Sequence, residues 1–211
     1  MMGTNVMKRL RMVGLAAGGA FALSGCISLG SEPPESLLTL TPANSAPAGT
    51  GAVAGGETAL GAIAVLTPEA PAKLDVLRVP VQVSDTEIAY LQDAVWVEKP
   101  ARLFRRLLGE SLRTRAGESG AALVLDSDDT PTLATRFVRG TLLDMTYDAR
   151  SSSVVVRYEA LRTDESGAVV SRRFEARESG IAPEASAVGP ALNRAANVVA
   201  GEAADWVLST P

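Results

Sequence analysis

The chain has 211 residues, 46% of them apolar, and a formal net charge of −4, with a single cysteine and no histidine. That length suits a targeting segment plus one domain, and one cysteine means the core must hold without disulfides. The missing histidine removes Ser-His and Cys-His nucleophile pairs and the commonest transition-metal ligand, and the acidic balance is a poor match for nucleic acid.

In chain order, Lys8, Arg9 and Arg11 form a positive n-region and Met12 to Leu23 an apolar h-region, the layout of a secretory signal. The stretch is too short for a transmembrane helix, which needs roughly 20 residues. Met7 is a second candidate start. Leu23-Ser24-Gly25-Cys26 resembles the lipobox of bacterial lipoproteins, in which the cysteine takes a diacylglyceryl thioether and becomes the new N-terminus. Residues 1–25 therefore read as a signal peptide and Cys26 as the lipidation site. Cleavage there leaves 17 of the 20 basic side chains against 24 acidic ones. Residues 26–36, with Pro33 and Pro34, read as an extended tether.

The domain spans 37–208. Leu37 to Thr41 reads as a first strand, and residues 42–59, rich in Ala, Gly, Pro, Ser and Thr, as a flexible loop. Leu60–Leu66 and Val76–Val83 are β-branched apolar runs around the Pro68–Asp75 turn region. Short strands are expected at Glu87–Leu91 and Ala94–Val97. From Lys99 to Arg115 the period becomes helical: Leu103, Leu107, Leu108 and Leu112 fall on one face and Arg102, Arg105, Arg106 and Arg113 on the other. Pro100 suits the first turn, and Gly117 and Gly120 are expected to end the helix.

Ala121–Asp126 reads as a strand and Ser127–Thr132 as an acidic turn. Leu133–Asp148, Ser152–Thr163 and Ala168–Glu178 are expected to form an antiparallel meander with one wet face, with a bulge near Phe137, Val138 and Gly140. Val188–Leu208 is the last helix, expected to pack on the sheet rather than lie on a membrane, since Arg194 is the one cation of its polar face. The fold class is α+β, a single domain with a mainly antiparallel sheet packed by two amphipathic helices. Asp126, Asp128 and Asp129 lack the spacing of a calcium loop, and no Gly-Lys-Ser/Thr phosphate cradle is present. No catalytic residue, metal or cofactor is expected, and the chain reads as a non-enzyme.

The stretches Leu74 to Pro80, Asp85 to Tyr90 and Trp96-Val97-Glu98-Lys99-Pro100-Ala101-Arg102-Leu103-Phe104 together resemble the ABC-type transport auxiliary lipoproteins, the PqiC-like family. The resemblance includes the Leu37-Leu38-Thr39-Leu40 strand, where many members carry tyrosines that are leucines here. The resemblance implies a periplasmic α+β domain tethered to the outer membrane, working beside an MCE-domain protein, a permease and an ATPase that move lipids between membranes. Carried over onto this chain, the motif is Tyr90, Trp96, Glu98, Pro100 and Phe104. The surface from Asp85 to Arg106, with Tyr90, Trp96, Glu98, Arg102 and Arg105, is the expected partner site, since aromatics and arginines dominate binding hot spots. Trp96 and Phe104 have the alternative of being core anchors. A homo-oligomer is also open, and the runner-up function is an envelope scaffold that docks a complex without handling lipid.

Overall fold

The structure, a computed structural model, describes residues 36–50, 61–119, 123–125, 134, 136–163 and 167–209. All of them lie in one compact unit, Pro34–Pro211. The signal peptide, Cys26, the tether up to residue 35, residues 51–60, the acidic turn 127–132 and Asp126 fall outside the described residues.

The elements run β1 (Ala62–Val65), β2 (Arg78–Gln82), β3 (Ile88–Val95), α1 (Pro100–Ser119), β4 (Leu123–Leu125), β5 (Arg136–Asp148), β6 (Ser153–Thr163), β7 (Val169–Ser179) and α2 (Ala185–Leu208). The α+β class holds, with a sheet of seven strands. Its spine is β5. One edge of β5 carries β6 antiparallel, and β6 carries β7, so the expected meander is present. The other edge takes β1 in parallel at Arg136 to Val138 and β2 in parallel at Tyr147 and Asp148. The sheet is therefore more mixed than expected, because early chain segments pair beside a late strand.

Alternation assigns the faces. Val154, Val156, Tyr158 and Ala160 of β6 are fully buried in the core, while Arg157 and Glu159 point the other way. Both helices cover the core face. The Phe104 ring of α1 meets the Tyr158 ring at 4.9 Å between centroids, and Trp206 of α2 meets Phe174 of β7 at 5.9 Å. In α1, Leu103, Leu107, Leu108 and Leu112 are buried, as their spacing of three and four requires. In α2 the buried side is mostly alanine, from Ala191 to Ala204, and small side chains let the two helices lie close.

Several local expectations change. Glu87–Leu91 and Ala94–Val97 form one strand, β3, with Asp93 at φ 55° and a register shift against β2. The extra residue lets the chain stay paired while it twists. Helix α1 continues through Gly117 to Ser119. The irregularity in β5 lies between Leu142 and Asp144, and Gly140 serves a close approach instead. The first strand reduces to a single bridge, Leu38 with Trp96.

Beyond that bridge the chain leaves the sheet and crosses the helices. The Thr41 and Ala43 N–H groups donate to the Asn193 and Asn197 side-chain oxygens at 2.8 and 2.7 Å, and Asn197 donates back to the Thr41 carbonyl at 2.9 Å. Ala46 N–H donates to Glu110 at 2.7 Å. The first part of the segment expected as a free loop is thus tied down. Leu38 lies so near α2 that a Cβ on Gly189 would stand 2.7 Å from its Cδ2.

Candidate functional site

The corner from β3 into α1 holds the residues singled out in the sequence. Trp96 sits just past β3, clamped by its own N–H to the Leu77 carbonyl at 2.7 Å, by Val97 N–H to the Leu38 carbonyl at 2.9 Å, and by Leu38 N–H to the Val95 carbonyl at 2.7 Å. Its side chain is fully buried and its indole N–H is enclosed without a hydrogen-bond partner. Phe104 is equally buried. Trp96 therefore has no surface to offer a partner; both aromatics anchor the strand-to-helix corner.

Pro100 opens α1 where its missing N–H costs nothing. On the exposed side of the helix start, Arg106 pairs with Glu98 at 2.5 Å, and Arg102 is exposed beside them. Tyr90 stands apart in β3, half-buried, with the Arg78 guanidinium 5.2 Å from its ring centroid. Arg105 departs from expectation. It lies about 40° around the helix from Ala101, on the flank where Ala101 and Leu112 are buried. Its Nε and Nη1 are closed off from solvent and have no hydrogen-bond partner. The structure thus brings Glu98, Arg102 and Arg106 together, and leaves Trp96 and Arg105 out of that surface.

The helix-free face of the sheet carries a second arrangement that no motif announced. Cross-strand register lines up Thr141, Glu159 and Arg173, then Asp144, Arg157 and Glu175, then Thr146, Val155 and Arg177. Arg157 bonds Asp144 and Glu175, each at 2.7 Å, and Arg173 bonds Glu159 at 2.7 Å. Lys73, from the turn before β2, closes on Asp144 from the far side. Lys73, Asp144 and Arg157, together with Asp148, Arg150, Arg177, Thr146 and Val155, line a concavity of about 320 Å³. Arg177 reaches the Ser153 hydroxyl at 2.9 Å, and Ser153 is fully buried. Acid and base are matched across the strands, so the face is wet yet internally neutralised. Among the described residues no cluster of three or more metal-ligating side chains occurs.

This lattice makes stability depend on pH. Burial pushes the Asp148 carboxyl up, but hydrogen bonds from the Arg150 side chain and backbone and from Ser151 outweigh it and hold the group below its ordinary value. The Arg157 hydrogen bond does the same for Glu175. Both carboxyls titrate lower folded than unfolded, so their stabilisation is complete above the unfolded values near roughly pH 4 and lost as pH falls through the folded ones. Urea midpoints should be level at neutral pH and drop on acidification below about pH 4. Asp148→Asn should lower the neutral midpoint and shallow that drop; an unchanged acid limb would exclude Asp148 as a contributor.

Comparison with known proteins gives a family match and fold-level neighbours. The family described as ABC-type transport auxiliary lipoprotein component matches residues 40–204, from just past the Leu38 bridge through most of α2. A crystal structure of a Xanthomonas campestris protein of the family DUF330 has a TM-score of 0.62 at 18% identity, covering 82% of this chain and 95% of that one. A second crystal structure, of an uncharacterized protein, has a TM-score of 0.59 at 15% identity, covering 72% of this chain and 94% of that one. No curated protein matches the sequence significantly.

Proposed function

The chain belongs to the ABC-type transport auxiliary lipoprotein family, and on that premise we propose that it is a non-enzymatic, lipid-anchored accessory of an ABC-type system that moves lipid between the inner and outer membranes. An auxiliary component of such a system works with transporter partners, and a lipoprotein is held at the envelope. In the proposed arrangement those partners are an MCE-domain protein, a permease and an ATPase, and the energy comes from the ATPase. The carrying observation is that the family match runs from residue 40 to residue 204, across all seven strands, α1 and nearly all of α2.

The partner surface is the start of α1. Arg102 is exposed, whereas Trp96 and Phe104 are buried beneath the corner. Arginine is enriched among the residues that carry binding energy at interfaces, and the buried corner holds Arg102 in a fixed place. Arg102→Glu reverses a charge without touching the core, so the thermal midpoint should stay within about 1 °C while co-purification with the MCE-domain component falls several-fold. Undiminished co-purification of the folded variant would move the interface elsewhere. Arg105→Glu is a poor probe, because Nε and Nη1 of Arg105 are already enclosed and a carboxylate would be buried in their place.

Anchorage is tested separately. Two or three acyl chains hold a protein to a membrane where one is marginal. Cys26→Ser should release the protein from the membrane fraction or leave its signal peptide uncleaved, and a mature, membrane-bound Cys26→Ser protein would refute lipidation at this residue. Ile27 and Ser28 follow the cysteine, with no Asp of the kind that resembles an inner-membrane retention signal, which supports outer-membrane residence. Fractionation of the mature protein mainly to the inner membrane would overturn that placement.

A further inference from the structure

The concavity on the helix-free face of the sheet is neutralised as a whole but not evenly. Four cations and three carboxylates line it, and none of the described lining residues is aromatic. Lys73, Arg150 and Arg157 each bond a carboxylate, whereas the hydrogen bonds of Arg177 go to the Ser151 and Ser153 hydroxyls, with Asp148 3.9 Å away. Positive charge is therefore in surplus at Arg177. Thr146 lies in the same cross-strand row, since both residues pair with Val155. It lines the concavity while only 4% exposed, and among the described residues its hydroxyl has no hydrogen-bond partner. A polar group held in that state calls for a ligand that completes it. Asp144 stands two residues along β5 on the same face, about 7 Å from Thr146. Each of its oxygens accepts one bond, from Lys73 and from Arg157, which leaves further acceptor positions open.

We propose that this concavity binds a small zwitterion, its anionic group between Arg177 and Thr146 and its primary ammonium on Asp144. The spacing of those two ends along β5 suits a molecule whose opposite charges are a few bonds apart. A zwitterion also enters without leaving a net charge in the concavity, which a free phosphate would do. The lining decides the kind of cation. A primary ammonium brings three N–H donors to carboxylate acceptors, whereas a quaternary ammonium is recognised by aromatic faces, and the lining has none. Phosphoethanolamine diesters meet these conditions: a phosphate for arginine and threonine, an amine for aspartate, and a size suited to a concavity at the small end of ligand sites. Such a group is presented by a lipid headgroup or by a free small molecule, and the chemistry recognised is the same. The site lies on the face of the sheet opposite the helices, so the inference goes beyond the docking surface on α1 and stands without the transport reading.

The probe is glycerophosphoethanolamine, titrated calorimetrically into the full-length protein in a maltoside detergent. It should bind about ten-fold more tightly than glycerophosphocholine, with inorganic phosphate alone and ethanolamine alone weaker still. Thr146→Val removes a hydroxyl that has no partner in the fold, so the thermal midpoint should hold while affinity falls about five-fold. Arg177→Gln should lower affinity about ten-fold, since it removes a charged donor to the anion. A second arm places the protein in nanodiscs of phosphatidylglycerol with and without phosphatidylethanolamine. Weaker apparent binding of the probe when phosphatidylethanolamine is present assigns the site to a lipid headgroup, and unchanged binding assigns it to a free zwitterion; both support the site. Absence of binding by glycerophosphoethanolamine would overturn the proposal. So would equal affinity for phosphate alone or for glycerophosphocholine, or wild-type affinity in both variants, and none of these results would touch the docking surface on α1.

Discussion

Gly140→Ala is expected to cost more than about 3 kcal/mol, a large share of the roughly 5–15 kcal/mol that holds a domain together. The position lies in β5 opposite Ala160, and the Tyr158 side chain folds across it to donate its hydroxyl to the Arg139 carbonyl at 3.1 Å. A Cβ at residue 140 would stand 2.1 Å from the Glu159 carbonyl oxygen and 2.7 Å from both Cε2 and the hydroxyl of Tyr158. Neither neighbour can give way cheaply. The carbonyl belongs to the β5–β6 ladder, and Tyr158 is fully buried against Phe104. Relief would require breaking the central ladder or expelling the ring, and both undo the contact between sheet and α1. Urea denaturation of Gly140→Ala should show a midpoint far below wild type or no cooperative transition. A midpoint shifted by less than about 0.5 kcal/mol would mean that the strand flexes here and that the ring does not pin it.

Trp96 supplies a comparison of two substitutions. Trp96→Ala leaves a large cavity at the corner and should cost about 3–5 kcal/mol. Trp96→Phe loses less volume, and it also removes an indole N–H that is enclosed with no acceptor. Leaving such a donor unpaired costs about 1–3 kcal/mol, so its removal offsets part of the lost packing. Trp96→Phe is therefore expected to stay folded, with a loss under about 2 kcal/mol, and to retain co-purification with the transporter, since the exposed rim of α1 is unchanged. If Phe costs as much as Ala, the indole nitrogen is making a bond that matters. If Phe preserves stability but abolishes partner binding, Trp96 reaches a partner and the assignment of this residue to the core is wrong.

The contrast between Arg102 and Arg105 shows how far a helical pattern reaches. Both were legible as polar residues opposite a leucine stripe, and Arg102 is exposed as that pattern requires. The apolar arc of α1 is wider than its leucines, because Ala101 and Ala116 are buried too. Arg105 lies within that wider arc. Only the neighbours of a helix decide how much of its circumference they cover. The loop after Thr41 makes the same point from the other side: Ala, Gly and Pro in that stretch signal an irregular backbone, but Asn193 and Asn197, about 150 residues later, decide that its first part is held.

By itself the sequence determined the periods, and through them the local elements: leucines three and four apart for α1, Val154, Val156 and Tyr158 alternating with charge for β6, small residues in helical spacing for α2. It also carried the motif from Trp96 to Phe104 that led to the family. These signals are local, since a helix turn or a pleat is set by residues within a few positions of one another. Tertiary structure alone decided the pairings between distant segments. It set β1 and β2 one after the other along one edge of β5, closed Lys73 onto Asp144, laid Tyr158 across Gly140 and enclosed Trp96. Each of these depends on which surfaces meet after the chain has closed long loops, and no spacing within a single segment encodes that.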